Sequence, residues 1–210
     1  MRAPVGFLFV VTFLCLPPLS QARQKLLVIG DSISGGYRPT LATRLGDSFE
    51  VSRIGENGKD TRNGLQKLET WLGETKWDVV VFNWGLHDMK HGHLDALEPR
   101  RDEYLKRLER LVLRLKETEA RLIFVTTTPV PEPNKAGRLN AYVVSFNEAA
   151  IALMKQHQVE VCDAYSVIFP VRETYELPSK KPKWRDVHFT KGGYQILGRA
   201  VSKTVLTTDE

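Results

Sequence analysis

The chain has 210 residues, 42% of them hydrophobic and 26% charged, with a formal net charge of +5. That length holds one domain with a sizeable core, and the composition is that of a folded globular protein rather than a disordered one. The basic balance, with a pI near 9.2, has no long Lys/Arg block and no aromatic-basic repeat of the kind that tracks nucleic acid. It reads as a solvated charged face more than as a preference for acidic partners.

In chain order, the first element is a leader. Arg2 precedes an apolar run from Val5 to Leu16, broken only by Gly6 and Thr12, and Pro17, Pro18 and Ser20-Gln21-Ala22 follow. A positive start, a short apolar stretch and small residues at its end describe a signal peptide cleaved after Ala22. The run falls short of the ~20 residues that span a bilayer. Residues 1–22 are therefore expected to be removed, leaving residues 23–210 as one domain, secreted or periplasmic and not inserted in a membrane. Cys15 leaves with the leader, and Cys162, set in an apolar run, reads as a buried thiol.

From Lys25 onward, short apolar runs alternate with segments of helical period. Leu26–Ile29, Phe49–Ile54, Trp77–Trp84, Arg121–Thr127 and Val159–Cys162 read as strands, and their continuous apolarity suits parallel strands covered on both faces. Between them, Leu65–Leu72 forms a short helical pattern. Leu105, Leu108, Leu111, Val112 and Leu115 form one apolar stripe, and Leu139, Val143, Phe146, Ala150 and Leu153 another. Gly193–Leu206 closes the chain as a helix. The alternation predicts a three-layer α/β/α sandwich around a five-stranded, mostly parallel sheet. Ser166–Arg185, with three prolines and the run Lys180-Lys181-Pro182-Lys183, is the longest irregular stretch and a candidate wall of a binding site.

Open α/β sheets bind ligands outside the carboxyl ends of their strands. Those ends carry Gly30-Asp31-Ser32, Asn57-Gly58-Lys59-Asp60, Asn83-Trp84-Gly85-Leu86-His87-Asp88 and Thr126-Thr127-Thr128-Pro129. Asp186-Val187-His188 stands just before the last helix. A hydroxyl, an imidazole, a carboxylate and small-residue turns converge on one edge, the set that acyl transfer needs.

In these blocks and their order the chain resembles the SGNH, or GDSL, hydrolase family over nearly all of residues 23–210, which implies a flavodoxin-like sheet and serine esterase chemistry without a cofactor. Carried over by residue, Ser32 becomes the nucleophile and its backbone N–H one oxyanion donor, and His188 the general base. The second block normally places Gly before the acid of its Asp60-Thr61 pair. Here Lys59 stands there and Gly58 one step earlier, so either backbone N–H is a candidate donor. In the third block, Gly85-Leu86-His87-Asp88, His87 replaces the family's Asn. An imidazole N–H, partly charged, would take over the oxyanion and add a pH sensitivity of its own, or else Asn83 or a water fills the role. In the last block Arg185 occupies the usual acid position and Asp186 lies two residues before His188. Asp186 is expected to orient the ring, with Asp163 or a backbone carbonyl as the alternative.

Trp84, Trp184 and Tyr37 flank these blocks and are candidates to stack on a sugar. His87, Asp88, His91, His93 and Asp95 match no zinc spacing, and no metal is expected. The resemblance points to an esterase removing O-acetyl groups from carbohydrate. Lysophospholipid or short-chain lipid hydrolysis and acyl transfer are the alternatives within the family. A glycan-binding descendant without activity is the alternative of another class, and the retained Ser32 and His188 argue against it.

Overall fold

The computed structural model describes residues 22–90, 97–178 and 184–207. Residues 1–21 of the leader, the histidines at 91 and 93, Asp95 and the basic run 180–183 lie outside the described residues.

Five strands form one wholly parallel sheet: β1 (Gln24–Ile29), β2 (Phe49–Arg53), β3 (Val79–Phe82), β4 (Arg121–Val125) and β5 (Glu160–Cys162), in the order β2-β1-β3-β4-β5. Every residue of β3 and the last four of β1 are buried, as continuous apolar runs between two helical layers require. Three strands stop earlier than their apolar patterns. Ile54, Trp84 and Thr127 lie beyond the strand ends, and Asn83 ties the exits of β3 and β4 together, its Nδ2 donating to the Val125 carbonyl at 2.7 Å.

On one face α1 (Ser32–Leu45) packs against α7 (Lys191–Leu206), with α5 (Ala164–Ile168) beside it. On the other lie α2 (Thr61–Leu72), α3 (Leu97–Lys116) and α4 (Asn140–Gln156). The α3 stripe is shifted slightly from expectation: Tyr104 is buried and Leu105 only partly so. No helix among the described residues is long and apolar enough to cross a membrane.

Two elements escape the apolar pattern. The helix α1 carries Gly35, Gly36 and Pro39, and Pro39 forgoes a hydrogen bond to the preceding turn. The composition is explained by packing: a Cβ on Gly36 would stand 2.2 Å from the Tyr194 ring, so glycine is what lets α1 approach α7. The stretch Ser166–Arg185 is also less irregular than expected. It holds the end of α5, a 3-10 turn at Phe169–Val171 and α6 (Arg172–Tyr175), each too short to show a period.

With β1 between β2 and β3, the chain leaving β1 and the chain leaving β3 run to opposite sides of the sheet. Their carboxyl ends open a crevice at this switch of direction. Ser32 begins at one lip and His87 at the other.

Candidate active site

The site is built on the N-terminus of α1. Asp31 caps the helix, its Oδ1 accepting the Ile33 N–H at 2.9 Å, while its carbonyl accepts from Ser34 Oγ at 2.7 Å and from an Arg53 Nη2 at 3.1 Å. Ser32 is thereby fixed as the first helical residue. Its own N–H, one of the orphan donors of a helix start, donates to no described group and lies at the positive end of the helix dipole.

His188 reaches Ser32 from the segment before α7. Its Nε2 lies 2.8 Å from Ser32 Oγ, and its Nδ1 lies 2.5 Å from Asp186 Oδ1. The same carboxylate oxygen accepts the His188 backbone N–H at 3.0 Å, so Asp186 curls back over a tight turn. That turn is why a spacing of two suffices. Burial would raise the Asp186 pKa, but the hydrogen bonds from His188 outweigh it and hold the group below the usual carboxylate value. Arg185, in the position where an acid was awaited, is exposed and pairs with Glu176 at 2.8 Å.

Backbone pairing on both sides holds this segment. Leu177 N–H donates to the His188 carbonyl at 2.9 Å and Thr190 N–H to the Tyr175 carbonyl at 2.7 Å. Arg185 N–H donates to the Pro133 carbonyl at 2.9 Å, beside a bridge between Asn134 and Arg185.

The second lip is made by the turn after β3. Gly85 has φ 144°, and a Cβ there would stand 2.4 Å from Thr127 Oγ1, so only glycine fits. The turn is pinned by Asp88, which accepts from Thr61 Oγ1 at 2.5 Å and from Thr61 N–H at 3.1 Å, with Arg107 3.8 Å away. Burial pushes the Asp88 pKa up to about 6.

His87 stands in the cleft wall with Ser32 and His188, its Nε2 3.8 Å from Asp31 Oδ2. Burial first, then the charges of Lys90 and Arg138, push its pKa down to about 4. The ring is therefore neutral at pH 7, and the expected charged donor with an added pH response gives way to an uncharged N–H.

The remaining expected donors fare differently. The Gly58 N–H is committed to the Gly30 carbonyl at 2.9 Å. The Lys59 N–H donates to Asn57 Oδ1 at 2.8 Å, with Lys59 at φ 50°, the conformation that glycine adopts most easily. Asn83 spends its amide on the β4 exit and does not stand in for His87.

Of the three aromatic candidates, only Trp184 lines the cleft. Trp84, 1% exposed, packs on Phe82 in the core, and Tyr37, 2% exposed, lies beneath Asp31. Both were placed beside the site by their neighbours in sequence, but the apolar layers claim them. Asp163 caps α5 by accepting from Ser166 N–H and Oγ, and Cys162 is a buried free thiol. Two residues of the site carried no recognisable sequence signal: Arg53, beneath the Asp31 carbonyl, and Arg138, a buried cation in the cleft wall.

The open cleft before Ser32 encloses about 520 Å³ between the loop 134–138, the turn 86–90 and the segment 184–188. A hydroxyl bonded to an imidazole, itself bonded to a carboxylate, is the arrangement that removes a proton from the attacking oxygen and returns it to the leaving group.

Comparison with known proteins identifies the family and the fold. The model of the GDSL-like lipase/acylhydrolase family matches residues 28–196. An arylesterase of Vibrio mimicus is 33% identical over 99 residues, 42% of this chain and 50% of that protein, so the chain spans about half the length of that curated relative. Among solved structures, an acetyl xylan esterase, AlAXEase, superposes with a TM-score of 0.68 at 16% identity, covering 87% of this chain and 100% of the other. Est24, a carbohydrate acetylesterase from Sinorhizobium meliloti, has a TM-score of 0.68 at 18% identity, with 87% and 98% covered. A mutant of the acetylxylan esterase Axe2 from Geobacillus stearothermophilus has a TM-score of 0.69 at 19% identity, with 90% and 98% covered. At those identities the structures establish a shared fold. The chain belongs to the GDSL-like lipase/acylhydrolase family of ester hydrolases.

Proposed function

We propose that this protein is an exported serine esterase that removes O-acetyl groups from carbohydrate, acting after loss of residues 1–22. The observation that carries the reading is the continuous relay Ser32 Oγ–His188–Asp186, at 2.8 and 2.5 Å, opening onto a cleft of about 520 Å³. His188 takes the Ser32 proton as the hydroxyl attacks the ester carbonyl. The Ser32 N–H and the uncharged His87 N–H hold the tetrahedral oxyanion, joined by the Lys59 N–H once it gives up Asn57. The alcohol leaves with the proton from His188, and water activated by the same ring clears the acetyl-enzyme. The choice of acetyl-carbohydrate rests on the names of the structural neighbours and on a cleft wall rich in polar side chains.

The test is hydrolysis of p-nitrophenyl acetate, butyrate and octanoate, and acetate release from acetylated oligosaccharides, by the wild type and by Ser32→Ala. Ser32-dependent turnover that falls with acyl length supports the reading. Faster turnover of octanoate transfers the chain to the lipases, and glycan binding with no Ser32-dependent turnover of any ester overturns the hydrolase reading.

A further inference from the structure

Cations dominate the wall of the cleft. Among the described residues, Lys90, Lys135, Arg138 and Arg185 line it against a single carboxylate, Asp186, which is occupied by His188. Arg185 is answered by Glu176. Lys90 and Lys135 are exposed, but Arg138 is only 6% exposed, an unusual place for a guanidinium.

Arg138 is held in a fixed pose. Its Nε donates to the Leu86 carbonyl at 2.5 Å, and Asn134 grips its backbone from both sides, accepting its N–H at 3.0 Å and donating to its carbonyl at 2.8 Å. Neither terminal nitrogen of the fork has a hydrogen-bond partner among the described residues, and no carboxylate among them comes within ion-pair distance. The buried carboxylate of Asp31 and Arg138 favour each other's charge at a distance, without a direct ion pair. Burial works against the charge on Arg138, so the protein carries a largely buried cation whose two terminal nitrogens stay free to take a ligand in the cleft it lines.

We propose that the cleft selects esters bearing a second, ionised carboxylate near the scissile bond, which the terminal nitrogens of Arg138 grip as a bidentate pair. The inference rests on the esterase reading above and names its substrate class. A planar fork matches a carboxylate in a way that the flexible amines of Lys90 and Lys135 do not, and those two lysines add attraction at the mouth. On a carbohydrate the carboxylate is that of a uronic acid. On the acyl side it is that of a dicarboxylic half-ester, and the two sources separate experimentally.

The experiment compares kcat/KM on acetylated galacturonate oligomers and on acetylated xylo-oligosaccharides of equal length, at low and high salt. A second pair, p-nitrophenyl hemisuccinate and p-nitrophenyl acetate, moves the carboxylate to the acyl group. Charge-assisted pairing of this kind predicts a preference of about tenfold to a hundredfold for the acidic member of one pair. The preference shrinks with salt, collapses toward one in Arg138→Gln and is partly kept in Arg138→Lys. Should those variants fail to fold, titration calorimetry of Ser32→Ala with the same acidic and neutral oligomers reads the site without turnover. Selective binding of the acidic oligomer with no hydrolysis by the wild type retains the carboxylate site and removes the esterase reading. A ratio of one or less in both substrate pairs, with Ser32-dependent hydrolysis of the neutral ester intact, overturns the proposal. So does equal binding of the two oligomers by Ser32→Ala when the wild type also shows no preference for the hemisuccinate.

Discussion

Replacing His87 tests two consequences of its burial at once. Its pKa, near 4 in the folded protein, lies well below the ~6.5 of an unfolded chain. As pH falls through that interval the unfolded state takes up a proton that the folded state refuses. The stability associated with a neutral His87 is therefore fully present above the unfolded value and declines with acidification until the folded pKa is reached. Its side chain is 16% exposed, so the shift is not heavily screened, and one pKa unit is worth about 1.4 kcal/mol. Between pH 7 and pH 4.5 the wild type should lose about 2 kcal/mol through this residue, a loss that His87→Asn and His87→Ala escape. Denaturant unfolding of wild type and variants at both pH values isolates the difference, because the other titrating groups are common to all. Kinetically, His87→Ala should lower kcat by on the order of 10²–10³, with His87→Asn recovering most of it, since an amide supplies the same kind of donor. A neutral donor also requires the acid limb of kcat/KM to stay in place in His87→Asn. Equal acid sensitivity of wild type and His87→Asn would refute the buried neutral ring, and a His87→Ala enzyme within a few-fold of wild type would refute its contact with the oxyanion.

Asp186→Asn should keep the fold and lower kcat by on the order of 10²–10⁴ in a p-nitrophenyl ester assay, because the amide no longer enforces the tautomer of His188. Trp84→Ala should destabilise the protein by about 3–5 kcal/mol in denaturant unfolding, whereas Trp184→Ala should leave stability nearly unchanged and raise KM for oligosaccharide esters. Lys59→Gly relieves a left-handed backbone and should stabilise the fold by about 0.5–1 kcal/mol in a thermal melt.

The layers and the meeting of Ser32 with His188 were legible because each rests on a short-range signal. Continuous apolar runs ending in Gly30-Asp31-Ser32 and in Gly85 require buried parallel strands that exit into turns, and such exits lie at one edge of the sheet. The role of Asp186 was visible as a possibility and is decided by geometry, since a two-residue step reaches the ring only when the carboxylate also takes the backbone N–H. The first helix was hidden because Gly36 serves packing against Tyr194 across the chain, a reason that leaves no local pattern. Tyr37 and Trp84 were misplaced for a related cause. Adjacency to a catalytic block in sequence says nothing about which face of a strand or helix a ring takes. Arg138 had no motif at all, and its importance comes from burial without a direct ion pair among the described residues, a property of the folded chain alone.

The clamp between residues 133–134 and Arg185 has a mechanical consequence. The loop carrying Arg138 and the segment carrying Asp186 and His188 are tied by the Arg185 N–H and the Asn134 bridge, so neither travels alone. A substitution that reshapes the loop to admit a different ester also drags His188 relative to Ser32. Substrate range and turnover in this protein are therefore geared together, and variants selected for a new ester should regain speed only through compensating changes along the 175–177 stretch that holds His188 from its other side.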